Sequence, residues 1–95
     1  MTVRVLLRYR GPEDEIATAF HTISTKLRGT PGLLRSELWQ DVGERRSFVV
    51  SSEWTSREDF DAWEQGPDHK ATTQPLRPYH ESGGFQLVEV VAVHR

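Results

Sequence analysis

Trp54 and Trp63 stand nine residues apart with Phe60 between them, in the stretch EWTSREDFDAWEQGPDHK that runs from Glu53 to Lys70. Aromatic rings at this spacing suit the wall of an apolar site, and each indole adds one N–H that a buried ring must pair. Three polar side chains can bring proton chemistry to such a wall. Tyr9 shares a strand face with Val5 and Leu7, so its hydroxyl can point into the same space. Ser52 lies between Val50 and Trp54 on one face, where a hydroxyl needs a partner in backbone, water or ligand. His69, next to Asp68, is a neutral imidazole able to take a proton from a phenol near pH 7. Each has a plainer alternative: Trp54 and Trp63 as core, His69 as a structural or solvated side chain.

Other chemistries lose their residues. The chain has no cysteine, which removes thiol nucleophiles, disulfides, iron–sulfur clusters and Cys-based zinc sites. None of His21, His69, His80 and His94 stands at metal-ligand spacing from another histidine or from a carboxylate cluster. Glu58, Asp59, Asp61 and Glu64 read as a solvated helix face, so paired-carboxylate catalysis has no support. The formal net charge is -2 with no basic stripe, which argues against nucleic acid. No apolar run approaches the roughly 20 residues of a membrane span, and residues 1–10 lack the apolar core of a signal peptide. The expectation is a soluble cytoplasmic protein, without nucleic-acid or membrane partner, forming one domain over residues 1–95.

Positioning these groups requires a particular order of elements. VRVLLRYR, Val3–Arg10, alternates as a strand. GPEDE opens a helix, with Pro12 in the first turn and acidic residues at the positive end of the dipole. Ile16, Phe20, Ile23 and Leu27 form its apolar stripe, and Gly29 with Pro31 ends it. A second strand covers Leu33–Val42, with Leu34, Ser36, Leu38 and Gln40 on one face and Leu33, Arg35, Glu37 and Trp39 on the other. A hairpin turn at Gly43 leads to the third strand, SFVVSSEW. Thr55 or Ser56 caps the second helix, Thr55 and Glu58 fitting a capping box. Gly66 and Pro67 end that helix and a short turn follows at Asp68–Thr73. Gln74–Gly84 reads as a loop that can act as a lid, carrying Tyr79 and His80. FQLVEVVAVH is the fourth strand. The order βαββαβ is the split βαβ of a ferredoxin-like α+β sandwich, a four-stranded antiparallel sheet with both helices on one face. The fourth strand is apolar on both faces, and a domain this small buries only about 60–70% of its unfolded surface. A homodimer joined through the open sheet faces is the economical cover.

With PGLLRSELWQ, VVSSEWTSREDFDAWEQGPDHK and the closing FQLVEVV, this order resembles the antibiotic biosynthesis monooxygenase family over nearly the whole chain. The strongest likeness is Trp54-x-Ser56 followed by Phe60-x-x-Trp63, after the Pro31-Gly32 turn. The resemblance implies a dimeric α+β barrel with a pocket between helices and sheet in each protomer. It implies oxygenation of phenolic, anthrone-like or quinol compounds by O2 without metal or tightly bound flavin, any reduced flavin being a diffusible co-substrate, since no dinucleotide fingerprint is present. Trp54, Phe60 and Trp63 would then wall the substrate. Anthrone-type members carry an Asn four positions before the strand-end Trp, a Tyr six positions after it and an Arg on the following helical turn. These positions fall here on Val50, Phe60 and near Thr73, so the anthrone mechanism does not transfer with its original residues. Haem-degrading relatives of the superfamily use a first-strand Asn, a Trp matched by Trp63 and a His ten residues later; that last position is Thr73, and the first strand has no Asn. Readings that remain open are a non-catalytic ligand-binding or accessory module and a polyketide cyclase or isomerase.

Overall fold

The computed structural model describes residues Met1–Arg95. Strand β1 (Val3–Arg10) leads to helix α1 (Glu13–Lys26), then strands β2 (Leu33–Gln40) and β3 (Ser47–Trp54), helices α2 (Arg57–Glu64) and α3 (His69–Thr73), a 3-10 helix (Gln74–Tyr79) and strand β4 (His80–Glu89). The strands form one sheet in the order β2-β3-β1-β4, antiparallel at every pairing. This is the ferredoxin-like α+β sandwich.

The period-two alternation of β1 is realised directly. Val3, Val5 and Tyr9 are buried on the helix-facing side, and Arg4, Leu6, Arg8 and Arg10 take the other. Burial divides into two clusters. One joins Ile16, Ala19, Ile23 and Leu27 of the α1 region to Tyr9, Phe48 and Leu76; the other joins Val3, Val5, Trp54 and Phe60. The α1 stripe therefore runs through Ala19 where Phe20 was expected. Phe20 is only half-buried and meets His21 edge-on, with ring centroids 5.6 Å apart.

Several boundaries depart from the sequence reading for local reasons. β2 stops at Gln40, two residues before Val42, because the Asp41 carboxylate accepts the N–H groups of Gly43 and Glu44 at 2.8 and 2.9 Å and folds the chain away. A register shift between Leu33 and Arg35 opposite β3 turns Leu33 inward. Leu33 packs against both core clusters, whereas the alternation placed it with Arg35 and Trp39; Leu34 is exposed instead. Ser56 is the N-cap of α2, its Oγ accepting the Asp59 N–H at 3.2 Å. Thr55 is not the cap and no Thr55–Glu58 box forms; the Thr55 hydroxyl donates to the Asp59 carboxylate instead.

Residues 74–84 are not a loop. Pro75 and Pro78 sit in the 3-10 helix, where a short turn loses little from their missing N–H groups. β4 begins at His80, opposite Tyr9, and bulges through residues 81–84 before Phe85 pairs with Leu7. Gly83 and Gly84 supply the positive φ angles of 115° and 68° that this bulge needs. At its other end β4 stops at Glu89, short of the expected His94. Val91 and Val93 are 76% and 71% exposed.

The Pro31-Gly32 turn is built around glycine. Gly32 has φ 83°, and a Cβ there would lie 2.4 Å from the Asp59 Cβ. Its carbonyl accepts the Thr55 N–H at 2.8 Å, so the turn also fixes the start of α2. Gly32→Ala is expected to destabilise the protein by more than the ~1 kcal/mol of an ordinary left-handed alanine, read as a lower midpoint in urea unfolding. An unchanged midpoint would show that the turn relaxes freely.

The sheet face away from the helices is polar at its centre. Arg4 donates to Ser51 Oγ at 3.0 Å and reaches Glu37 and Glu53 at 3.5 and 3.7 Å. Arg35 pairs with Glu53 at 3.2 Å. Leu6, Val49, Trp39 and Val88 share this face by register, with Trp39 41% exposed.

Candidate functional site

A cavity of about 370 Å³ lies between the sheet and the helices, within the usual range for small-molecule sites. Its floor is the inner sheet face. Val5, Leu7 and Tyr9 come from β1, Val50 and Ser52 from β3, and His80, Gly84 and Phe85 from β4. Its roof is Phe60, Trp63 and Glu64 of α2, His69 and Thr73 of α3, and Leu76 and Arg77 of the 3-10 helix, with Ile23 behind. The β4 bulge with Gly84 shapes one rim.

Seven of the nine residues singled out from sequence line this space together: Tyr9, Ser52, His69, Phe60, Trp63, Val50 and Thr73. Trp54 does not. It is 1% exposed and packs edge-on to Phe60 and tilted against Trp63, with ring centroids at 5.6 and 5.7 Å. Trp54 therefore backs the wall and leaves its surface to Phe60 and Trp63. The reason is depth: Trp54 ends β3 directly under α2, where the helix closes over it. Tyr79 does not reach the cavity either. The 3-10 helix turns it toward α1, where its ring packs beside Gly11 and its hydroxyl donates to Glu15 at 3.2 Å.

The polar groups have defined surroundings. Trp54 Nε1 donates to Ser52 Oγ at 3.0 Å, leaving the Ser52 hydrogen free to donate. Burial pushes the Tyr9 phenol up to about 12, against the opposing pull of the Arg77 charge, so Tyr9 is a neutral donor at physiological pH. Its ring lies 5.4 Å from that of His80. Thr73 donates to the His69 carbonyl at 2.9 Å and accepts from Arg77 Nη2 at 3.3 Å. His69 stands edge-to-face with Trp63 at 4.6 Å, and burial first of all holds its pKa below the usual imidazole value, Arg77 and Lys70 adding to this while Glu64 opposes it.

Arg77 and His80 are the groups that the sequence reading under-used. Arg77 stands one helical turn past Thr73, at i+4, and that spacing is the signal that could have found it. A cationic side chain therefore serves the cavity, although the position first compared with the family's arginine is Thr73.

This arrangement, apolar walls with a few convergent donors in a ferredoxin-like sandwich, has close structural parallels. A family model described as antibiotic biosynthesis monooxygenase matches residues 4–74. The chain belongs to this family. Two relatives are similar in sequence. Protein SchA of Streptomyces halstedii is 29% identical over 69 residues, and a 42.8 kDa protein in the whiE locus of Streptomyces coelicolor is 30% identical over 77. The matches take in 73% and 78% of this chain but only 18% and 19% of those proteins. Among solved structures, SnoaB, a cofactor-independent oxygenase from Streptomyces nogalater, superposes with TM-score 0.81 at 20% identity, covering 97% of this chain and 95% of that one. The haem-degrader MhuD from Mycobacterium tuberculosis superposes with TM-score 0.78 at 22% identity over the whole of both chains. At such identities the likeness is one of fold.

The haem-degrading branch expects an imidazole ten residues after Trp63. Thr73 stands there, its hydroxyl engaged by the His69 carbonyl and Arg77. The imidazoles that line the cavity are those of His69 and His80. No group of three or more His, Cys, Asp or Glu side chains comes together as a metal site, and no helix is long and apolar enough to cross a membrane.

Proposed function

We propose that this cavity binds a hydroxylated polycyclic aromatic of polyketide type and that the protein oxygenates it with O2, using no metal or tightly bound flavin. The observation that carries the reading is the cavity itself: aromatic and aliphatic walls from Phe60, Trp63, Val50 and Leu7, with only a handful of donors, Tyr9, Ser52, His69 and Arg77. An anthrone or quinol in its ionised form is electron-rich enough to pass one electron to O2. Recombination of the substrate radical with superoxide forms a C–O bond. The peroxide takes up a proton and loses water, leaving a carbonyl with one atom of O2. The dry walls protect the radical pair, and the donors hold the oxygen on which charge rests before transfer.

The protein acts in this reading as a single domain in the cytoplasm and as a homodimer. The outer sheet face carries Trp39, Leu6, Val49 and Val88 around the Arg4 network, and the exposed Val91 and Val93 lie beyond β4. A second copy, sheet against sheet, buries these residues while leaving each cavity on its own helix side. A reduced flavin, where one takes part, would be a diffusible co-substrate.

Val50 and Phe60 favour a second reading. They are apolar where related oxygenases carry polar groups, which suits an accessory module that only holds the ligand. A cyclase or isomerase is the third. Turnover of hydroxyanthrones in air and under nitrogen separates all three. Product formed in air alone supports the oxygenase. Equal turnover under nitrogen supports the cyclase. Tight binding without turnover supports the module.

A further inference from the structure

His69 is the one cavity residue whose ring is held in a way that fixes its chemistry. Its Nδ1 is buried and has no hydrogen-bond partner. Nε2 is not so enclosed, and the ring lines the cavity. The imidazole packs edge-to-face against Trp63 at 4.6 Å. A neutral imidazole carries its proton on one nitrogen only, whereas imidazolium carries both. A proton on Nδ1 would strand a buried donor, and stranded N–H groups are the rarer and costlier kind of orphan. The ring is therefore best satisfied with Nδ1 bare and Nε2 protonated. Accepting a second proton would place an unpaired N–H, now on a cation, in the same enclosure.

We propose that His69 serves this cavity as a neutral hydrogen-bond donor through Nε2, not as a base, and that with Tyr9 and Arg77 it forms a donor set for a phenolic or enolic oxygen that arrives already ionised. This rests on the reading of the cavity as a site for hydroxylated aromatics and specifies the state in which they bind. Ser52 fits the same pattern: its oxygen accepts from Trp54 at 3.0 Å, so its hydrogen is free to donate to the ligand. The groups facing His69 are Glu64 from α2, Lys70 on its own helix, Arg77 from the 3-10 helix, and Tyr9 and His80 across the cavity. Glu64 is the one anion among them. Arg77 and Lys70 oppose it, and with burial of the ring they favour a ligand anion over an imidazolium. The substrate's proton is left to solvent, so binding follows the ligand's ionisation and not that of His69.

Two measurements on the full chain test this. Long-range ¹H–¹⁵N spectra of the free protein at pH 7 are expected to show the His69 ring with Nε2 protonated and Nδ1 bare. A proton on Nδ1, for instance directed at the Trp63 ring, would overturn the assignment. The second uses 1,8-dihydroxyanthraquinone, which lacks the oxidisable carbon of an anthrone and whose absorbance moves to longer wavelength on ionisation. Its apparent pKa is expected to fall by about one unit on binding, a tenfold preference for the anion. His69→Gln, which keeps an N–H donor, is expected to retain most of that shift, and His69→Phe to lose it. A dye bound only as the neutral phenol, or no binding of its ionised form, would overturn the proposal. No O2 is consumed in either measurement, so failure here is distinct from failure of the oxygenase reading.

Discussion

Trp54→Ala is expected to destabilise the protein by about 3–5 kcal/mol, the usual range for removing a large buried aromatic. Trp54 is 1% exposed and touches Phe60 and Trp63 at once, so its loss leaves a void under α2 that two neighbouring rings cannot both fill. Domains of this size hold only about 5–15 kcal/mol in total. The melting midpoint should fall by at least about 10 °C. Trp54→Phe separates scaffold from site. It keeps most of the packing and every side chain that lines the cavity, and removes the N–H that Ser52 accepts. Stability should drop by a smaller step while affinity for a hydroxyaromatic ligand stays close to wild type. A Trp54→Phe variant of normal stability that no longer binds would place the indole on the wall after all.

Arg77→Gln should have the largest effect on binding. The guanidinium lies at the exposed mouth of the cavity, anchored on Thr73 at 3.3 Å, and its field reaches both Tyr9 and His69. A charge-assisted hydrogen bond to an anion contributes about 1.5–3 kcal/mol when well shielded. Exposure and salt reduce that, and about tenfold weaker binding of an ionised hydroxyaromatic is expected in low-salt buffer, with the gap narrowing as salt rises. Circular dichroism should be unchanged, because no core contact is lost. Equal affinity at every salt concentration would remove Arg77 from the site.

The sequence made the architecture legible because its signals were periodic. Val3, Val5 and Tyr9 announce an inner face at period two, and Ile16, Ile23 and Leu27 a helical stripe at period 3.6. Exceptions arose where one residue breaks a period. The bulge at Leu34 swaps Leu33 inward, and a pattern of strict alternation cannot show that. Asp41 ends β2 through its side chain, and the apolar run to Val42 hid this. For the site, face parity correctly brought Tyr9, Val50 and Ser52 into one space. It could not separate Trp54 from Trp63, because depth beneath a helix decides between core and lining, and depth is tertiary. Tyr79 was placed at the site and Arg77 was passed over for one reason. Both lie between Pro75 and His80 in a segment whose two prolines suggested a loop, and the 3-10 helix there sends the tyrosine to α1 and the arginine to the cavity.

The central claim is that the cavity transfers an oxygen atom from O2 to an aromatic ligand through its own residues. The most direct test uses dialysed, chelator-treated protein with a hydroxyanthrone under ¹⁸O2, with product analysed by mass. One ¹⁸O atom per quinone, formed faster than in buffer alone and slowed in Tyr9→Phe and Arg77→Gln, is the predicted result. Quinone formed no faster than without protein would contradict it.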